Sequence, residues 1–141
     1  MSKKKLHLTI TTPLRTVYDS EVDQLTVTTS VGELTVLPDH VPLVIPLIVG
    51  KVMVKKENHE IYHTIDGGIL EVRHNNQVVI LSDRSEDVTD IDLERAQEAL
   101  DRAQKHMEES KDGDTTDYTK LQHNIARELN RVKFAQKGRR K

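Results

Sequence analysis

The chain has 141 residues, 35% of them hydrophobic and 31% charged, and Phe134 with three tyrosines makes up its whole aromatic set. That suits a small β core carrying an exposed charged element, and not one large core. A formal net charge of -2 and the absence of cysteine argue against a dedicated nucleic-acid binder and exclude disulfides, thiolate zinc sites and cysteine nucleophiles.

The N-terminal Met1-Ser2-Lys3-Lys4-Lys5 runs straight into alternating sequence, without the apolar core of a secretory signal. From Leu6 to Ser82 the period is two. Leu6, Leu8 and Ile10 alternate with His7 and Thr9, and Val22 and Leu25–Thr28 suggest strands nearby. Leu34–Leu37, Val52–Val54, Glu60–Ile65, Ile69–Val72 and Val78–Leu81 follow. Such short β-branched runs predict half-buried strands. Gly32, Pro38-Asp39, Gly50, Glu57-Asn58, Asp66-Gly67-Gly68 and Asn75-Asn76 read as turns between them. Turns every eight to twelve residues predict an antiparallel β-sandwich or barrel. No helix separates the strands, so a parallel sheet is not expected. The longest apolar stretch, Val41 to Gly50, is broken by Pro42 and Pro46 and is far below the ~20 residues of a membrane span.

After Asp83 the period becomes helical. Ala96, Ala99, Leu100, Ala103 and Met107 share one face, with Thr89 and Asp90 as candidate N-caps. The pattern breaks at Lys111–Thr116 and resumes with the stripe Tyr118, Leu121, Ile125, Leu129 and Val132. The organisation expected is therefore α+β but mainly β, with a β-sandwich over residues 1–84 and an antiparallel two-helix hairpin over residues 85–141. The hairpin stripes are narrow and the first is largely alanine. They bury little area, so the hairpin is marginal alone and suited to be a moving part.

Charge is distributed unevenly. Residues 1–82 carry a net -1, residues 83–117 carry -8, and residues 118–141 carry +7. The two helical segments are thus a self-complementary pair. Equally, the basic one is free to seek an acidic partner. No catalytic constellation stands out. Gly50-Lys51 is followed by Val52 and lacks the glycine and hydroxyl of a phosphate loop. His59 and His63 share a parity, yet no third ligand is evident, and both read as solvent-facing strand histidines. No metal is expected.

Gly32-Glu33-Leu34-Thr35-Val36-Leu37-Pro38-Asp39-His40-Val41-Pro42-Leu43, then Gly67–Val72, Val79–Asp83 and Ile91-Asp92-Leu93-Glu94-Arg95-Ala96, together closely resemble the epsilon subunit of bacterial and chloroplast F-type ATP synthases. The resemblance spans residues 5 to about 136. It implies a non-catalytic central-stalk subunit that docks on gamma, rests near the ring of c subunits and couples rotation to catalysis in the alpha/beta head. It places Glu33 and His40 in a ring-facing loop; ordinary loop surface is the alternative. Asp39 stands where the family often has glycine, and aspartate tolerates the left-handed geometry such a turn needs. The basic tail Lys137–Lys141 has no counterpart in the resemblance.

The resemblance also implies that the helices either fold against the sandwich or extend along gamma into the head, where acidic beta-subunit loops attract the basic helix and hydrolysis is inhibited. In some bacterial members the folded hairpin binds regulatory ATP through an Ile/Leu-Asp-x-x-Arg-Ala motif, here Ile91, Asp92, Arg95 and Ala96. Arg127 and Arg131 lie one turn apart on the second helix and would join Arg95 around the phosphates. Ala96 would leave room for adenine, Asp92 would accept from its amine, and Glu86 would position the base. The alternative is that Arg127 and Arg131 pair with Asp92, Glu94 or Glu98 across the hairpin. No cofactor is obligatory. The expected location is the cytoplasmic face of the bacterial plasma membrane, with the chloroplast thylakoid as alternative. A competing reading of another class is a stand-alone β-sandwich ligand-binding module with a coiled-coil tail. A small enzyme ranks third.

Overall fold

The structure, a computed structural model, describes residues 3–109 and 115–139, with side chains at 3–109 and 118–136. It divides into two compact units, Met1–Asp87 and Val88–Lys141. The first is all β. Its strands are β1 (Leu6–Thr11), β2 (Thr16–Val22), β3 (Gln24–Thr29), β4 (Gly32–Val36), β5 (Leu43–Lys56), β6 (His59–Val72), β7 (Gln77–Leu81) and β8 (Ser85–Asp87). The hydrogen-bonded order is β2-β1-β7-β6-β5-β3-β4, and β8 pairs with β6.

Two long strands make this one ladder into two layers. The first part of β5 pairs Leu43 with Val72 and Leu47 with Gly68, beside β7. Its last part pairs Val52 with His63 while also bonding β3. The buried positions of β5 switch from Leu47 to Gly50, Val52 and Val54, so the ribbon turns its other face inward at its midpoint. Gly50 and Asp66-Gly67-Gly68, expected as turns, are therefore the mid-strand bend of a hairpin whose two strands have 14 residues each. A β-carbon on Gly68 (φ 127°) would stand 2.0 Å from the Leu81 carbonyl oxygen. Both its backbone angle and the closeness of β7 require glycine. The true turns carry left-handed residues, Glu57 with Asn58 in the two-residue connection of β5 to β6 and Asn75 with Asn76 in the longer connection of β6 to β7.

The pairing departs from expectation once more. β1 runs parallel to β7, with Leu8 opposite Val78. A parallel pair needs a long crossover, and here strands β2 to β6 supply it in place of a helix. The inward residues Leu6, Leu8, Ile10, Val22, Leu25, Val27, Val52, Val54, Ile65, Leu70, Val78 and Ile80 form a single cluster, each at most 1% exposed. His63 belongs to this interior. It is 2% exposed and meets Tyr18 edge-on at 5.2 Å, so it is not the solvent-facing residue expected. His59 is exposed.

β8 lies beyond the boundary expected at 84/85. Its Glu86-Asp87 pair hid three residues of strand opposite His63–Ile65. The second unit opens with a 3-10 turn at Val88–Asp90, then α1 (Leu93–Glu109) and α2 (Thr115–Arg139). The helix cap is Asp92 and not Thr89 or Asp90. Its Oδ1 accepts from the backbone N–H groups of Glu94 at 3.0 Å and Arg95 at 3.3 Å, which satisfies two of the orphan donors of α1. Ile91, Ala96 and Leu100 pack with Val132 and Ala135. The start of α1 thus meets the end of α2, which makes the pair antiparallel. Thr115-Thr116, read as part of the break, are already helical, and the remainder of that break lies outside the described residues, as do the last residues of the basic tail.

Candidate functional site

The buried face of α2 does not follow the apolar stripe. Leu121, Val132 and Ala135 are buried, but Tyr118 is 45% and Leu129 53% exposed. The place expected for Leu129 is taken by Glu128, 5% exposed. Positions 121, 125, 128, 132 and 135 form a regular helical stripe with a carboxylate at its centre.

That carboxylate is held between two arginines. Glu128 Oε2 accepts from Arg131 Nη1 at 2.8 Å, and Oε1 from Arg127 Nε at 3.3 Å. The guanidinium side chains are 23% and 20% exposed, against 7% for the carboxylate side chain. Water screens such bonds little, so each is stronger than its surface counterpart. Arg127 and Arg131 were expected either around a phosphate or paired across the hairpin; both also bond a carboxylate of their own helix. Sequence reasoning missed Glu128. The signal was present, because it is the single acidic side chain among residues 118–141 and stands between the two arginines singled out.

The other candidates are more dispersed. Arg95 is 85% exposed at its side chain, with Nε 3.9 Å from Asp92 Oδ2. The structure brings these two together one turn apart, as the motif spacing implied. Ile91 and Ala96 are buried, Ala96 completely, and both belong to the hairpin core. Glu86 sits half-buried on β8 opposite Thr64, in the sandwich unit.

Glu33 and His40 do not share a loop. Glu33 is the second residue of β4, 3.6 Å from Lys51 Nζ. His40 lies past the strand's other end, with Nδ1 2.7 Å from the Val41 carbonyl oxygen. Between them Asp39 adopts φ 67°, the left-handed geometry expected of it. The Lys4 ammonium bonds its carboxylate at 2.8 Å, and this holds Asp39 below the usual carboxylate range and raises Lys4. The outer face of β5, β6 and β7 aligns Pro46, Ile69 and Leu81 in one row. Ile69 is 46% and Leu81 50% exposed, and both border a groove of about 420 Å3 that reaches Thr11 and Pro13. Among the described residues no group of three or more His, Asp or Glu side chains is placed to hold a metal ion, and no helix is long and apolar enough to cross a membrane.

Comparison with known proteins identifies the two units. Residues 5–88 match the family model of the ATP synthase delta/epsilon chain β-sandwich domain, and residues 89–136 match that of its long α-helix domain. The ATP synthase epsilon chain of Halalkalibacterium halodurans is 40% identical over 130 residues, covering 92% of this chain and 96% of that protein. The epsilon chain of Caldanaerobacter subterraneus is 36% identical over 135 residues, covering 95% and 96%. A chain in the Euglena gracilis mitochondrial ATP synthase (OSCP/F1/c-ring in rotational state 1) shares the fold, with a TM-score of 0.74 at 23% identity over 89% of this chain and 78% of that one. The match covers both units and nearly the full length of the bacterial relatives, so this chain belongs to the epsilon chains of ATP synthase.

Proposed function

We propose that this epsilon chain couples ring rotation to catalysis through its sandwich and restrains ATP hydrolysis through its hairpin, with ATP favouring the folded hairpin. The observation that carries the reading is the contrast of the two cores. The sandwich interior is a broad cluster of valine, leucine and isoleucine. Among the described residues, the hairpin's core cluster has five buried members, two of them alanine. An element so thinly held exchanges conformations at low cost.

Each partner has a matching surface. The apolar row Pro46, Ile69 and Leu81 suits a protein partner, assigned here to gamma. Glu33 and His40 are the polar groups offered to the c-ring, from the two ends of β4. The +7 segment suits acidic loops of the beta subunits in the alpha/beta head once it leaves α1, an attraction that salt weakens. In the folded hairpin Arg95, Arg127 and Arg131 hold the phosphates, with Ile91, Asp92 and Ala96 beside the nucleoside. Ala96 is fully buried, so the adenine must lie against the rim of the helices. ATP is regulatory here and no other cofactor is invoked. The subunit works on the cytoplasmic face of the bacterial plasma membrane, held there by the complex.

The test is a calorimetric MgATP titration of the full chain beside Arg127→Ala. Saturable one-to-one binding that weakens at least about ten-fold in the variant is expected, because a charge-assisted bond contributes about 1.5–3 kcal/mol. Equal binding by both proteins sinks the phosphate assignment. Absence of heat in the wild-type chain sinks the sensor.

A further inference from the structure

Arg127 and Arg131 already hold an anion. Glu128 spends one carboxylate oxygen on each of them, at 3.3 and 2.8 Å. Both bonds lie within α2. The carboxylate sits at 5% exposure on the buried stripe between Ile125 and Val132, where helical patterning calls for an apolar residue. A sequence that places a charge against its own pattern commonly does so for function.

We propose that Glu128 is an internal stand-in for phosphate, which neutralises Arg127 and Arg131 when no nucleotide is bound and so sets how much ATP is needed to fill the site. The inference rests on the nucleotide reading above and adds to it the residue that tunes affinity. The chemistry is one of exchange. A carboxylate offers a single negative charge to two guanidiniums, whereas a polyphosphate offers several charges and more acceptor oxygens in geometry that suits bidentate bonding. Ligand phosphate therefore wins the arginines, but only by turning Glu128 out of a buried, doubly bonded seat or by leaving its charge uncompensated beside new negative charge. Either course costs binding energy. The arginines in turn never stand as a bare pair of repelling cations, so the folded hairpin persists without ligand. Glu128 thus lowers affinity while keeping the empty site stable, which suits a sensor that must respond to a change in abundant ATP and not to its mere presence.

The experiment compares the full-length wild type with Glu128→Gln and Glu128→Asp in titrations with MgATP and with inorganic tripolyphosphate, helix content being followed by circular dichroism. Glu128→Gln keeps the side chain's size but removes the competing charge. It is expected to bind both ligands about ten-fold more tightly, which corresponds to about 1.4 kcal/mol. Glu128→Asp, with its charge one methylene further from the guanidiniums, should fall between. A merely structural carboxylate would give equal or weaker binding in Glu128→Gln. With a wild type that binds saturably, that result overturns the inference and leaves the nucleotide reading standing. A gain for MgATP without a gain for tripolyphosphate also overturns it, since the competition is for phosphate. If neither wild type nor variant binds, both fail. Should Glu128→Gln lose helix content, Glu128→Asp decides: tighter binding than wild type supports the stand-in, and equal or weaker binding refutes it.

Discussion

The two units solve the same problem with unequal means. The sandwich closes a cluster of large aliphatic side chains, most of them fully buried, from seven of its eight strands. The hairpin brings together Ile91, Ala96, Leu100, Val132 and Ala135 and seats a carboxylate on its inner stripe. At about 25 cal/mol per Å2 of apolar surface, alanines contribute little. One unit is built to keep its shape and the other to be persuaded. The lesson is that the contrast lies in a shortage of apolar area in one unit and not in an added device.

Truncating each core tests this contrast most severely. Leu70→Ala empties a fully buried site of β6 and should cost the sandwich about 2–5 kcal/mol in urea unfolding. Leu100→Ala in α1 should instead speed amide exchange throughout the helices while the strands exchange as before. If the strands loosen equally, the two units are one cooperative body and the contrast falls. Next in size is the cap. Asp92→Ala removes the acceptor of two N–H groups and should cost about 1 kcal/mol, seen without nucleotide as fraying at the start of α1 and no change in the sandwich. The smallest effect is electrostatic. Asp39 is held low by its bond to Lys4, so its contribution is present above the ordinary value of 3.8 and is lost as pH falls through its depressed folded value. Lys4→Ala should erase that shallow acid-side dependence of sandwich stability and leave the helices untouched. A pH profile identical to wild type would show the pair to be idle.

Much of this was legible in the residues. Leu6, Leu8 and Ile10 alternate because one face is buried, and Ala96 and Leu100 recur at helical spacing for the same reason. Reading failed where tertiary context overrode local chemistry. Gly50 and Gly67-Gly68 look like turns, since glycine usually marks one; here Gly50 is demanded by Thr28 beside it and Gly68 by the Leu81 carbonyl beside it. His63 looks like a surface polar residue, yet the change of inward face at the bend carries it inside. Glu128 was missed because an apolar stripe was sought and Leu129 fits that search, whereas the helix turns its neighbour inward to serve two arginines. The β1–β7 pairing was invisible for another reason: no local pattern distinguishes a parallel neighbour arriving from far along the chain.

That pairing carries a consequence for how the molecule comes into being. His7 is matched to Gln77 and Thr11 to Leu81, so no nascent chain ending before Gln77 contains the ladder on which its own first strand must lie. β1 and β2 emerge early and wait as an isolated hairpin, too small to be stable by itself. Closure of the sandwich falls to β7, and loop-closure entropy makes such distant pairing slow. The hairpin unit, whose two helices are neighbours in the chain, leaves the ribosome after the sandwich and forms fast. The unit with the larger aliphatic core is thus the late decision of its folding, and the hairpin the quick one.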